Sequence, residues 1–138
     1  MPITLTIQEG LLAAEAEAPL FARLTEVLLD VAGLAGNGFM TPNVIGTIEA
    51  VPKSRIFSGG KPGPAAFVEL TLPPIALATE EAKQAFIERA TDAVEAAAEG
   101  RLPRNRIWVN IVYAAEGSWG IAGQPYGSEA LIAAIQGA

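Results

Sequence analysis

The chain has 138 residues, 51% hydrophobic and 17% charged, with nine Lys and Arg against fifteen Asp and Glu for a formal net charge of −6. That balance describes one domain large enough for a real core and argues against a nucleic-acid surface, which needs clustered cations. Cysteine and histidine are both absent, which excludes disulfides, thiolate metal sites and every nucleophile that relies on a histidine base.

In chain order, Ile3, Leu5 and Ile7 alternate with Thr4, Thr6 and Gln8, the pattern of a half-buried strand. It opens on Pro2, a residue that strands accept only at starts, edges or bulges. An Ala- and Glu-rich stretch leads to Pro19, which suits a first helical turn. Leu20, Leu24, Val27, Leu28 and Val31 then recur at helical spacing, and Gly33 or Gly36 supplies the C-cap. Val44 to Val51 reads as a second strand, followed by the turn-rich SRIFSGGKPGP. Ala66 to Leu72 is a third strand, stopped by Pro73-Pro74. Thr79 is a credible N-cap, with Glu80 and Glu81 in the favourable first turn of a helix that Gly100 closes. Ile107 to Tyr113 is a fourth strand, and Ser128 to Gln136 forms a short tail helix.

This order contains two strand–helix–strand units of similar length. The first ends TIEAVPKSRIFSGGKP and the second IVYAAEGSWGIAGQP. Each places an aromatic residue, Phe57 or Trp119, before a Gly-rich turn and a proline. We therefore expect a single α+β domain over residues 1–138, with pseudo-repeats of about 2–62 and 65–125. Two tandem parallel βαβ units form a four-stranded sheet with two helices on one face. The other face needs cover, and oligomerisation is the natural source. No basic segment precedes an apolar one as in a leader, and no apolar run approaches membrane-spanning length. A soluble, cytoplasmic protein with no membrane partner and no nucleic-acid partner is expected.

The opening Met-Pro-Ile and the strand ending in Glu-Gly resemble the tautomerase superfamily. VNIVYAAEGSWGIAG, residues 109–123, is similar to the C-terminal strand and hairpin of 4-oxalocrotonate tautomerases. AVPKSRIFSGGKPGPAAFVEL and RIWVNIV are similar to the middle loop and fourth strand of macrophage migration inhibitory factor relatives. The resemblance spans most of the chain and implies the double-length branch of that superfamily. It further implies a homotrimer and a cofactor-free, metal-free keto–enol tautomerase whose base is the Pro2 amine, exposed by removal of Met1. The chemistry is sound: an α-amine titrates near 7.7–8.0, and desolvation or nearby cations move it toward neutrality, where a proton shuttle works well.

The candidate partners of that base each carry two readings. Lys53 and Arg55 either hold a substrate carboxylate or are simply solvated on their loop. Arg101 and Arg104 are better read as complements of a helix C-terminus. Asn110, which the resemblance places in the pocket with Trp108, either donates to an enolate oxygen or is satisfied within the sheet. Phe57 and Trp119 either wall the pocket or pack beneath their hairpins, and Tyr113 is a proton donor or a core aromatic. The chain departs from the family pattern at Leu11 and Val44, where 4-oxalocrotonate tautomerases have arginines, and in the cation-free LPPIALA after the third strand. Dehalogenation and decarboxylation are thereby disfavoured, and a small enol or 2-keto acid suits better than a dicarboxylate. The alternatives are an iminium-forming or hydratase-type enzyme using Pro2, or a non-catalytic trimer acting as a scaffold.

Overall fold

Alternation along the strands decides which side of the sheet the helices cover. The computed structural model describes all 138 residues. Strand β1 (Pro2–Gln8) leads through helix α1 (Ala14–Val31) to β2 (Ile45–Val51) and a small hairpin of β3 (Phe57–Ser58) and β4 (Lys61–Pro62). Strand β5 (Ala66–Leu72), helix α2 (Glu80–Ala97), β6 (Ile107–Tyr113) and the hairpin of β7 (Gly120–Ile121) and β8 (Gln124–Pro125) repeat that order, and α3 (Ser128–Gln136) ends the chain. The main sheet runs β2-β1-β5-β6. Each helix links a parallel pair, β1 with β2 and β5 with β6, and the two pairs join antiparallel through β1 and β5.

Ile3, Leu5 and Ile7 of β1 and Ala66, Val68, Leu70 and Leu72 of β5 are buried toward the helices. They join Leu20, Leu24, Val27 and Leu28 of α1 and Phe86, Ala90 and Val94 of α2 in one core. Gly46 belongs to this layer by necessity, because a Cβ there would run into the Ile3 carbonyl and the Phe21 ring. The opposite face carries no layer. It shows Ile45, Phe67, Trp108 and Val112, all exposed, among threonines, Glu49, Glu69 and Asn110.

Helix α2 starts as read, with Thr79 Oγ1 accepting from the Ala82 N–H at 3.1 Å. Helix α1 begins five residues before Pro19, which lies inside it. A run of good helix formers from Ala14 outweighs the one bond that Pro19 cannot donate. No side chain caps that start. Strand β2 begins at Ile45, since Val44 closes a single 3₁₀ turn over Thr41–Asn43. No helix is long and apolar enough to cross a membrane.

Candidate active site

Pro2 takes the first position of β1, where its missing N–H costs no ladder bond. In register beside it stands Ile45 of β2. Together they floor a cleft of about 420 Å³ walled by Met1, Asn43, Thr71, Ala114 and Ser118 and by Trp119–Ala122 of the second hairpin. That hairpin turns tightly because both central residues, Ala122 and Gly123, have positive φ (53° and 80°). Tyr126 fixes it in place. Its N–H donates to the Trp119 carbonyl at 2.7 Å, and its ring lies 6.2 Å from Trp119 and 5.5 Å from Phe39.

The terminal amine, borne by Met1, donates to the Asn43 carbonyl. Burial pushes it down from 8.0 to about 6, because a desolvated ammonium is disfavoured. No lysine or arginine of the same chain lines the cleft. The Met1 amine is therefore largely neutral at pH 7.

The Met1 side chain leaves the cleft and enters the core, 2% exposed. There it borders a separate cavity of about 130 Å³ lined by Ala32, Leu34, Met40, Pro73, Ile75, Ala76, Leu77, Leu131 and Ile135. Asn37 ties one wall of this cavity to another. Its Oδ1 accepts from the Met40 N–H at 2.8 Å, and its Nδ2 donates to the Ile135 carbonyl of α3 at 3.0 Å. At the other end of α3, Glu116 accepts from the Ser128 hydroxyl at 2.7 Å and from its backbone N–H. These bonds hold the Glu116 carboxyl below its usual range.

The remaining sequence candidates occupy other places in the chain. Phe57, Trp108 and Asn110 share a second cleft, of about 350 Å³, with Ser58, Gly59, Ala65 and Phe67. Ala65 and Phe67, at the start of β5, contribute to its lining. Lys53 and Arg55 form a 3₁₀ turn just past β2, and neither side chain makes an ion pair. Since β1 and β2 run parallel away from Pro2, that turn lies roughly 20 Å from the amine at ~3.3 Å per residue. Tyr113 donates its hydroxyl to the Ala76 and Leu77 carbonyls at 2.8 and 3.0 Å, so it fastens the 73–77 loop. Arg104 pairs with Asp92 at 2.7 Å, and Arg106 donates to Ser58 at 2.6 Å.

The two hairpin aromatics are not structural equivalents. Phe57 pairs with Pro62, and the residue that pairs in the same way with Pro125 is Gly120. Trp119 sits one step earlier, at the place of the buried Ile56; it is 7% exposed while Phe57 is 58% exposed. Sequence reasoning did not find Met1, Asn43, Thr71 and Ser118 as cleft residues.

No family model matches the chain, and no curated protein matches it. Solved structures do. The chain is similar to a fused 4-OT solved as an asymmetric trimer, with a TM-score of 0.78, 22% identity, and 95% of this chain and 98% of that one covered. It is similar to Pt0534, solved after inactivation by 2-oxo-3-pentynoate, with a TM-score of 0.75, 19% identity and coverage of 95% and 98%. It is also similar to macrophage migration inhibitory factor of Toxoplasma gondii, with a TM-score of 0.73, 14% identity and coverage of 91% and 100%. The chain shares the fold of these structures over nearly its whole length.

Proposed function

We propose that the protein is a cofactor-independent keto–enol isomerase whose general base is the Pro2 amine, freed by removal of Met1. The observation that carries this reading is the placement of Pro2, at the very start of β1, on the floor of a cleft walled by the second hairpin. The neutral nitrogen takes a proton from the carbon next to a carbonyl, or from an enol oxygen. The electron pair moves into the enolate system, and the same nitrogen returns the proton to the other atom. The proton is returned to the substrate, so the step balances without a further reactant.

The cleft lacks a cation to meet the enolate or a carboxylate. In a homotrimer like the fused 4-OT structures, the open sheet face is covered by neighbouring copies. Lys53, Arg55 and Asn110 of a neighbour are then the groups available to approach Pro2, with Phe57 and Trp108 as apolar walls. A small-molecule enol or 2-keto acid of low charge fits this arrangement better than a dicarboxylate.

One observation favours a second reading, a non-catalytic trimeric scaffold. Met1 is packed in the core, and while it stays in place the Pro2 nitrogen is a tertiary amide with no basicity. Treatment with 2-oxo-3-pentynoate, the inactivator of Pt0534, separates the two. The first reading expects covalent labelling at residue 2 and a loss of phenylpyruvate tautomerisation of about 10²-fold or more in Pro2→Ala. An unlabelled residue 2 together with equal rates refutes it.

A further inference from the structure

We infer that Met1 is a plug, and that its removal joins the apolar chamber beneath α3 to the Pro2 cleft as the seat for an apolar arm of the substrate. Met1 is the residue common to both spaces: it walls the cleft that holds Pro2, and it also lines the chamber. Residue 1 is 2% exposed and is the one residue that lines both spaces. When residue 1 leaves, a passage opens between them directly beside the nitrogen that becomes the base.

The chamber is built for hydrocarbon. Leu34, Met40, Ile75, Leu77, Leu131 and Ile135 supply apolar walls. The carbonyls of that wall are already occupied, those of Ala76 and Leu77 by the Tyr113 hydroxyl and that of Ile135 by the Asn37 amide. With a lining made mostly of apolar side chains, the space favours an apolar ligand. It also resists collapse. Asn37 pins the far end of α3, Glu116 pins the near end, and Tyr113 holds the 73–77 loop.

This deepens the isomerase reading and rests on Pro2 acting as the base. The substrate class it specifies is a 2-keto acid, or its enol, whose carbon 3 carries an unbranched alkyl arm. The proton to be removed then lies at the mouth of the cleft while the arm occupies the space that Met1 vacates.

The test measures deuterium exchange at carbon 3 by proton NMR for pyruvate, 2-oxobutanoate, 2-oxohexanoate and 2-oxooctanoate with Met1-free protein. In parallel, the melting temperature of Met1-free and Met1-bearing protein is followed with 2-oxooctanoate. The expected result is a kcat/KM that rises about 4-fold per added methylene until the chamber is full. A ligand-induced rise in melting temperature is expected only in the Met1-free form. Ala76→Leu lowers the 2-oxooctanoate-to-pyruvate ratio by about 10-fold or more; if it does not fold, Ala32→Leu narrows the opposite wall. A ratio that is flat across chain length and unmoved in a folded variant, with no ligand-induced stabilisation, overturns the plug while leaving the base in place. Stabilisation by 2-oxooctanoate without exchange of any 2-keto acid sustains the chamber and overturns the isomerase reading instead.

Discussion

Removal of Met1 is predicted to lower the melting temperature by about 10 °C, a large effect for one terminal residue. Its side chain contributes four heavy-atom groups to the core, and at ~0.8 kcal/mol for each buried methylene their loss amounts to roughly 3 kcal/mol. This lies within the ~2–5 kcal/mol seen when buried methionine or leucine is truncated, where rigid surroundings favour the upper part of the range. The surroundings here are rigid, since Asn37, Tyr113 and Glu116 brace three sides of the chamber. With an unfolding entropy of ~2.1 cal/mol/K per residue, 138 residues give about 0.29 kcal/mol/K, and 3 kcal/mol becomes roughly 10 °C. Circular dichroism melts of the Met1-bearing and Met1-free forms at pH 8, at equal protein concentration, read this directly. Melting temperatures within about 2 °C of each other refute the packing role assigned to Met1.

Three further outcomes follow from the same geometry. In the Met1-bearing form the amine titrates at about 6 when folded against 8.0 ordinarily, so between those values the unfolded chain binds more protons. Its stability therefore rises from pH 6 to pH 8 and is lost as pH falls through 6, which urea midpoints measured across that window will show. In the Met1-free form the Pro2 amine is the terminal base on the floor of the cleft. The rising limb of kcat/KM against pH for phenylpyruvate is expected below the ordinary amine value, and a limb at or above about 8 contradicts the desolvated base. Tyr113→Phe removes the one hydroxyl proton shared between the Ala76 and Leu77 carbonyls and costs about 1 kcal/mol in urea unfolding, while 2-oxo-3-pentynoate still labels residue 2. A variant as stable as the parent would show that the loop is not fastened there.

Much of the fold was legible in the sequence because its signals are local. The alternation of Ile3, Leu5 and Ile7 located β1, which extends one residue further at each end, and the apolar positions of β5 and β6 set those two strands to the residue. Thr79 set the start of α2, since a cap and its acidic first turn are written within four residues. The start of α1 was not legible in the same way. Ala13 provides no side-chain bond, and Pro19 suggested a boundary that helix propensity overrides. Pro2 stood out as a candidate because composition leaves few other bases. Its surroundings did not, since Met1, Met40, Leu77 and Leu131 meet only through tertiary packing of both chain ends. Lys53 and Arg55 invited a role in binding by type and loop position, yet the length of a parallel strand separates them from Pro2 within one chain. Trp119 and Phe57 looked alike by spacing, and the one-residue difference in hairpin register made one a buried wall and the other an exposed surface.

The central claim is that a free amine at residue 2 does the chemistry, and one comparison reaches it without changing any side chain that lines the cleft from residue 2 onward. A preparation shown by intact mass to carry Met1 is assayed for deuterium exchange at carbon 3 of phenylpyruvate. It is then treated with a methionine aminopeptidase and assayed again. The account predicts negligible exchange before treatment and exchange that grows in proportion to the Met1-free fraction. Equal exchange by both forms, or none by either, contradicts it.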